Sequence, residues 1–275
     1  MTVGGGYSQV RPCDLRVSCG SSCLSSPSLR RFCVLGLQRL VSVSFDFHLF
    51  GPLHLGIIAA IPIIAASLAY ATRRDRRSAL ATRITLAAIL IADGLTWHTY
   101  RYVVQGVRVP EILPLEMCDA SFWLTALALL TLEEHTVDLA YYWGIAGSGM
   151  AILTPYLRAP FNTFQSFQYF LGHSLLIVGV LYLLWTRQAR PTPGSWWFAL
   201  WSLNLYGVCV AIVDWLANTN FMYLREKPLS SSLFDLLGPW PWYIACAEVI
   251  ALILFWLMQL PFRSRPGAGA GTSSS

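Results

Sequence analysis

The chain has 275 residues, of which 55% are hydrophobic and 12% are charged, and its net charge at pH 7 is +5. Because a soluble domain carries about 25% charged residues, this composition excludes a disordered chain and an ordinary soluble domain. The basic residues lie mostly in short gaps between apolar runs, which is how membrane topology is encoded. We therefore expect a protein that crosses a membrane several times and binds no nucleic acid.

The first 46 residues differ from the rest of the chain. They are rich in Ser, Gly and Arg and have no apolar run that could serve as the h-region of a signal peptide. Four of the seven cysteines lie here, and although Cys19 and Cys23 could form a metal pair, no His or second close pair completes a site. We expect a disordered extension over 1–46, or a segment read from a start codon upstream of the true one, and we expect neither a metal site nor a cofactor.

Seven apolar stretches follow, each near the length of roughly 20 residues that crosses a bilayer. They cover 49–71, 83–104, 112–132, 137–154, 165–185, 196–216 and 240–260. Only a short acidic gap, Glu133–Glu134–His135, separates the third from the fourth. These stretches predict an all-α fold, a polytopic membrane helical bundle of about seven transmembrane helices over 47–262. The Gly/Ala/Ser-rich tail over 263–275 is predicted to be disordered.

The Lys and Arg residues of the short loops predict the orientation of the bundle. Nine of them follow the first, fifth and seventh stretches, and five lie in the opposite loops. This asymmetry places the C-terminus in the cytoplasm and the N-terminus outside, although Arg30, Arg31 and Arg39 near the first stretch would favour the reverse. We expect an integral protein of a bacterial plasma membrane.

Polar residues inside the stretches share one side of the membrane. At a rise of about 1.5 Å per residue, their positions fall in the same half of the bilayer, and the other half is almost purely apolar. Ionisable groups within a membrane often mark a site, so the layer predicts a cavity open to one face. The alternative is that polar residues at helix ends simply reach the interface. The layer contains His54, Asp93, His98, Arg101, Glu116, Cys118, Asp119, Gln165, Gln168, His173, Asp214, Asn218 and Asn220.

Cys118 and His173 are the candidate catalytic pair within this layer. Their predicted depths agree within about 3 Å, and a thiol beside an imidazole can act as a nucleophile with its base in acyl transfer. Pro114 suits the start of the third helix, whose first turn would then favour an anion at Cys118. The alternative is that Cys118 packs as a small buried apolar residue, which is the usual role of a free cysteine.

The remaining candidates are assigned to substrate binding from their place in the layer. Two histidines with a carboxylate have the chemistry for zinc, but no helical spacing of the HExxH kind supports it. Hydrogen-bonded histidines that shape a pocket are the favoured interpretation. Asn218 and Asn220 either cap the sixth helix or line the mouth of the cavity. The assigned residues are His54, His98, Asp119 and Asn220.

Several separated motifs resemble those of the YwaF-like integral membrane proteins. The resemblance covers about Phe45 to Phe262, and this family is in turn similar to the eukaryotic transmembrane protein 164 group. The motifs are Phe50–Gly51–Pro52–Leu53–His54, Leu113–Pro114–Leu115–Glu116–Met117–Cys118–Asp119, Leu153–Thr154–Pro155, Phe170–Leu171–Gly172–His173, Asn218–Thr219–Asn220–Phe221–Met222–Tyr223–Leu224 and Pro239–Trp240–Pro241–Trp242–Tyr243.

The resemblance implies a membrane-embedded, cysteine-dependent acyltransferase that moves acyl chains between phospholipids and lysophospholipids. It places the nucleophile at Cys118 and the histidine at His173, and it carries no role to the four substrate-binding candidates. This sequence has Glu116–Met117 where many members have His or Gln, and Phe221 where Tyr is usual. Phospholipid and lysophospholipid are therefore the expected partners. The rival hypothesis is an outward-facing transporter or ligand-binding membrane protein without catalysis.

Overall fold

The computed structural model describes residues 47–155, 157, 161–228 and 233–263, and within them the regular elements are helical. The predicted extension over 1–46, with its four cysteines, and the tail beyond Arg263 lie outside the described residues. A π-helical turn, Ala140–Gly144, joins the helix Glu134–Leu139 to the helix Ile145–Leu153. The α-helices are α1 (Pro52–Thr72), α2 (Arg76–Val103), α3 (Met117–Thr131), α4 (Glu134–Leu139), α5 (Ile145–Leu153), α6 (Phe164–Trp185), α7 (Ser195–Ala217) and α8 (Trp242–Gln259).

The described helices form seven segments when α4, the π turn and α5 are taken as one, and each corresponds to one predicted stretch. Five segments are long and apolar enough to cross a membrane, namely α1, α2, α6, α7 and the segment from Trp242 to Phe262. The apolar helix α3 is shorter, with 15 residues. The predicted fold class, an all-α membrane helical bundle, is confirmed.

The helix boundaries differ from the predicted stretches where polar residues or prolines decide them. The second helix begins at Arg76 rather than at residue 83, because the Asp75 carboxylate accepts hydrogen bonds from the amides of Arg77 and Ser78. The third helix begins at Met117 rather than at residue 112, after a tight turn around Pro114 in which the Leu115 amide donates to the Leu113 carbonyl. Hydropathy detects neither feature, since both depend on individual hydrogen bonds.

Helix α6 lies at the centre of the bundle. Of its most apolar window 56% is buried, against 17–28% in the other four long segments. Small residues bring its neighbours close, since a β-carbon on Gly179 would lie 3.1 Å from Leu129 of α3 and one on Gly144 would lie 2.7 Å from Leu176 of α6. Close backbone approach at small residues is a usual way to pack helices in lipid, where the hydrophobic effect adds little. The packing core is therefore α3, α6 and the π turn.

The π turn is buried where the α3–α6 core meets α7 and α8. All five of its residues are buried. The Tyr142 hydroxyl donates to Oε1 of Gln259 at the end of α8, at 2.8 Å, and the Trp143 indole donates to the carbonyl of Ala199 in α7, at 3.0 Å. The turn thus connects the α3–α6 core to α7 and α8.

Contacts between helices define two ends of the bundle. His54 near the start of α1 lies 2.7 Å from the carbonyl of Ile152 at the end of α5. His98 near the end of α2 lies 3.6 Å from Asp119 in the first turn of α3. We call this the Cys118 end, and the polar contacts of the predicted layer lie here. The opposite end, the arginine end, carries Arg73, Arg74, Arg76, Arg77, Arg187 and Arg190.

A carboxylate caps α4 at the arginine end. The Glu133 side chain accepts hydrogen bonds from the amide of Thr136, at 2.7 Å, and from that of His135, at 3.0 Å. These bonds, that from Thr136 foremost, hold the pKa of Glu133 below its usual value. A carboxylate with a lowered pKa in the folded state stabilises the fold at pH values above the pKa of the unfolded chain. Its contribution is lost as the pH falls through the folded-state pKa.

We expect Glu133→Ala to lower the thermal unfolding temperature at neutral pH, because two amides at the start of α4 lose their acceptor. The difference from the wild type should shrink as the pH falls below the ordinary glutamate range, where the cap is protonated in both folded and unfolded chains. Thermal unfolding of the detergent-solubilised protein across a pH series measures it. Glu134→Ala is the matched control, since Glu134 accepts neither of these hydrogen bonds. Equal effects of the two substitutions, or a pH-independent difference, would contradict the assignment.

Candidate functional site at the Cys118 end

The candidate nucleophile lies in the first turn of α3. Glu116 has extended backbone at the N-cap position, and its side chain makes no cap hydrogen bond. It instead accepts from the amide of Met222, at 3.0 Å. Cys118 is the second residue of the helix and is half-buried. Because the first amides of a helix have no intrahelical acceptor, those of α3 point towards the Cys118 end beside the thiol.

The structure places Cys118 and His173 on adjacent helices at the same end. Phe122, one helical turn after Cys118 on the same face of α3, makes an edge-on ring contact with His173, with 5.3 Å between ring centroids. His173 is 6% exposed. No hydrogen bond joins the Cys118 thiol to the His173 imidazole, both of which are described residues. Proximity of the two helices is thus observed, and direct contact of the two groups is not.

The tautomer of His173 follows from its hydrogen bond. Its Nδ1 lies 2.7 Å from the carbonyl oxygen of Tyr169. Since a carbonyl can only accept, Nδ1 carries the proton and donates it. The Tyr169 ring also contacts the imidazole in a tilted arrangement, with 4.4 Å between ring centroids, and its hydroxyl donates to the Ala151 carbonyl at 3.0 Å. The ring is therefore held with Nε2 bearing the lone pair, the state that a general base requires.

A second polar pair lies beside this histidine, where α2 and α6 cross. Asp93, 9% exposed, accepts a hydrogen bond from Nε2 of Gln168 at 2.9 Å. Gly172 makes the approach possible, since a β-carbon there would lie 2.6 Å from Oδ2 of Asp93 and 3.0 Å from the Phe122 ring. Gly172 and Phe122 hold α6, α2 and α3 together directly next to His173.

His98, which is half-buried, and Asp119, which is buried, are brought together as a pair. Nε2 of His98 lies 3.6 Å from Oδ1 of Asp119, and the side chains are 18% and 6% exposed. Near them Arg101 donates to the carbonyl of Glu111 at 2.8 Å, which ties the end of α2 to the following loop. Because Asp119 follows Cys118 in the chain, this pair adjoins the candidate nucleophile.

His54 is fully buried and both of its ring nitrogens contact backbone atoms. The amide of Phe50 donates to Nδ1 at 2.9 Å, so Nε2 carries the proton and donates to the Ile152 carbonyl at 2.7 Å. Ring contacts with Phe47 and Phe170 complete its surroundings. No hydrogen bond, ion pair or ring contact of the described residues joins His54 to the other candidates. Through these contacts His54 connects the start of α1 to the end of α5, and its assignment to substrate binding stays a prediction.

Asn220 organises the loop after α7. Its Oδ1 accepts from the amides of Arg225 and Glu226, at 3.0 and 3.3 Å, and its Nδ2 donates to the Glu226 carbonyl at 2.8 Å. Asn218 ends α7 as its C-cap in the left-handed conformation, with φ of 54°. Both asparagines therefore shape the chain at this end of α7, and a substrate-binding role of Asn220 stays a prediction.

A buried carboxylate supports the same loop from beneath. Asp214, 0% exposed, accepts from the Thr219 hydroxyl at 2.7 Å and from the Phe221 amide at 2.9 Å. The Arg225 guanidinium donates to the carbonyls of Asp214 and Thr219, at 3.2 and 3.1 Å. With the Glu116–Met222 bond, these contacts hold the α7–α8 loop (218–228) against the start of α3. The loop is a folded part of the Cys118 end.

Sequence reasoning placed Asp93, Gln168 and Glu116 in the polar layer and considered His98 or Arg101 as the partner of Asp93, whereas the structure pairs Asp93 with Gln168. It missed Phe122, Gly172 and Tyr169, which surround His173. The run Phe170–Leu171–Gly172–His173 held a signal, since a glycine inside an apolar helix often marks close packing. Its partner on α2 was not readable from the sequence. As to the zinc alternative, the described residues contain no group of three or more His, Cys, Asp or Glu side chains placed to hold a metal ion.

These observations define a polytopic helical membrane protein with a cluster of polar side chains at one end, built around a cysteine and a histidine on neighbouring helices. A family model described as the TMEM164 family matches residues 49–259, and the chain belongs to that family. Comparison with curated proteins and with solved structures gives no match.

We expect Gly172→Ala to destabilise the protein by about 1–3 kcal/mol, the usual cost of overpacking, because the new methyl group collides with Asp93 and Phe122. Thermal unfolding in detergent measures the change. Gly56→Ala in α1 is the matched control, since a β-carbon there meets no atom within 4 Å and alanine is the better helix former. A Gly172→Ala protein as stable as Gly56→Ala would contradict the close contact.

Proposed function

We propose that this protein is a cysteine-dependent phospholipid acyltransferase in which Cys118 is the nucleophile and His173 the general base. The observation that carries the proposal is the position of Cys118 in the first turn of α3, next to the helix that presents His173 with its proton on Nδ1. A neutral imidazole with a free Nε2 lone pair can accept the proton of a thiol. Membership of the TMEM164 family and the resemblance to the transmembrane protein 164 group support the same chemistry.

The proposed reaction has two balanced steps. Nε2 of His173 takes the thiol proton of Cys118, and the thiolate attacks the ester carbonyl of a phospholipid. The carbon–oxygen ester bond breaks, the lysophospholipid oxygen takes the proton from the imidazolium, and an acyl-cysteine remains. The hydroxyl of a second lysophospholipid then gives its proton to Nε2 and attacks the thioester. The carbon–sulfur bond breaks, and the imidazolium returns its proton to the thiolate.

The reaction requires the thiol and Nε2 to approach within hydrogen-bond distance. Catalytic hydrogen bonds are often long in a free enzyme and shorten when substrate binds, so a lipid ester between α3 and α6 is proposed to complete the contact. The first amides of α3, which Glu116 does not cap, are the proposed donors to the carbonyl oxygen as it becomes negative. Water in place of the hydroxyl acceptor would make the same site a lipase.

The substrate-binding residues take different proposed parts. His98 and Asp119, a partly exposed pair adjoining Cys118, are proposed to contact the polar part of the lipid. His54 and Asn220, whose polar atoms contact backbone groups, are proposed to form the walls of the site. The positive charge of the arginine end supports a cytoplasmic position for that end and for the C-terminus, with the Cys118 end outside. A bacterial plasma membrane is the proposed location.

Incubation with a phospholipid that carries a labelled acyl chain should leave a hydroxylamine-sensitive label on the protein, because hydroxylamine cleaves thioesters. We expect the label in the wild type and its loss in Cys118→Ala. Cys246→Ala is the matched control, since Cys246 is also half-buried and free, and it should keep the label. Retention of label by Cys118→Ala would contradict the mechanism. A folded, lipid-bound wild type without label would favour the transporter or ligand-binding alternative.

We expect His173→Gln to slow acyl labelling of Cys118 by about 10²–10⁴-fold, the usual contribution of general-base catalysis. Glutamine can keep the hydrogen bond to the Tyr169 carbonyl but cannot accept a proton, so the fold should survive. His135→Gln, the same change at an exposed position of the arginine end, should label at the wild-type rate. Single-turnover labelling at several pH values measures the rates. A His173→Gln rate equal to that of the control would exclude His173 as the base.

A further inference from the structure

Arg83 of α2 is a buried cation without an acceptor among the described residues. Its side chain is 9% exposed, and Nε and Nη1 of its guanidinium are fully buried with no hydrogen-bond partner. The two ion pairs found within the described part of the chain, His98–Asp119 and Lys227–Asp235, do not include it. A charge taken out of water is costly unless it is paired, so this position requires an anion.

Other arginines of the described residues have partners that Arg83 lacks. Arg225 donates to three oxygens and Arg101 to one. Arg73 and Arg263 lie over the rings of Tyr70 and Trp256, with 3.7 and 4.9 Å to the ring centroids. Among the arginines of the described residues, Arg83 is the buried one, and those without such a partner are exposed.

The polar groups one turn before Arg83 are already hydrogen-bonded. One turn before it, the Ala79 carbonyl accepts from the Tyr182 hydroxyl of α6 at 3.3 Å, and that hydroxyl lies 2.9 Å from the Thr72 hydroxyl of α1. One turn after it, Ala87 is fully buried. These polar groups are therefore bonded to one another and not to the guanidinium.

The chain itself holds few anions that could neutralise Arg83. All acidic residues except Asp14 and Asp46 lie within the described part, and 264–275 contain no Asp or Glu. At the arginine end, Asp75 and Glu133 cap helices, and Asp138 accepts from the Thr192 amide at 2.8 Å. These three carboxylates already have amide donors, and Glu134 at the same end is exposed at the start of α4.

We propose that Arg83 is a binding site for a phosphate group at the arginine end, separate from the Cys118 site and independent of the proposed acyl transfer. A guanidinium presents its N–H groups as a planar fork that fits phosphate oxygens. Nη2 is not among the fully buried nitrogens, so an anion can reach the fork from that side. The exposed arginines of the same end add an attractive field for anions.

The depth of Arg83 favours the phosphodiester of a lipid headgroup. It lies seven residues after the start of α2, about 10 Å along the helix axis. Helical side chains tilt towards the N-terminus of their helix, so the long arginine side chain extends back towards the arginine end. A lipid phosphate at the edge of the hydrocarbon region meets it there. Inorganic phosphate shares the same chemistry, and the experiment separates the two sources.

The test is ligand-induced thermal stabilisation of the full chain in detergent, with three probes. These are a phosphatidylglycerol, a diacylglycerol with the same acyl chains, and inorganic phosphate. We expect phosphatidylglycerol to stabilise the wild type in a saturable way and diacylglycerol not to. Arg83→Gln should weaken the apparent affinity for phosphatidylglycerol at least tenfold. Arg187→Gln, at an exposed arginine of the same end, is the matched control and should bind like the wild type.

Stabilisation by inorganic phosphate that Arg83→Gln also abolishes would support the site and identify free phosphate as a sufficient ligand. If Arg83→Gln does not fold, Arg83→Lys keeps the charge without the fork and should bind phosphatidylglycerol several-fold more weakly than the wild type. Cys118→Ala should bind normally, which separates this site from the proposed acyl transfer. Wild-type affinity in both Arg83 variants, or equal stabilisation by diacylglycerol and phosphatidylglycerol, would overturn the proposal.

Discussion

The contact of α6 with α2 and α3 at Gly172 sets the geometry of the Cys118 end. A hydrogen atom at this position lets the Asp93 carboxylate and the Phe122 ring approach to distances that a β-carbon would not permit. Gln168 then reaches Asp93, and Phe122 packs against His173. The position of the candidate base relative to α3 thus depends on one small residue in an apolar helix.

Many polar groups of the same end are hydrogen-bonded within the protein, as a hydrocarbon environment demands. His54 uses both ring nitrogens on backbone atoms, and Asp214 and Asn220 close the α7–α8 loop through amides and carbonyls. Glu116, two residues before the candidate nucleophile, accepts a hydrogen bond from that loop. Much of the polar layer therefore builds the scaffold that holds Cys118 and His173, and a smaller part is left to meet a substrate.

The two ends of the bundle have different chemistry. At the Cys118 end, the buried residues His54, Asp93 and His173 make hydrogen bonds within the protein. At the arginine end, carboxylates cap helices and one arginine is buried without an acceptor among the described residues. Such an asymmetry suits a protein whose Cys118 end and arginine end meet different polar groups at the two surfaces of the membrane. The proposed acyl transfer and the proposed phosphate site use these two ends separately.

Hydropathy predicted the number and order of the helical segments, because each appears in the sequence as a long apolar run, and five of the described segments are long and apolar enough to cross a membrane. It also placed Cys118, His173, His98 and Asp119 at one depth, since depth follows from position along a helix. Hydropathy left the rotation of each helix about its own axis undetermined, and only tertiary packing decided that rotation. That packing paired His98 with Asp119, set Phe122 against His173, and directed His54 and Asn220 to backbone partners. A sequence specifies one coordinate of a membrane helix through hydropathy, whereas the other coordinates depend on contacts between residues far apart in the chain.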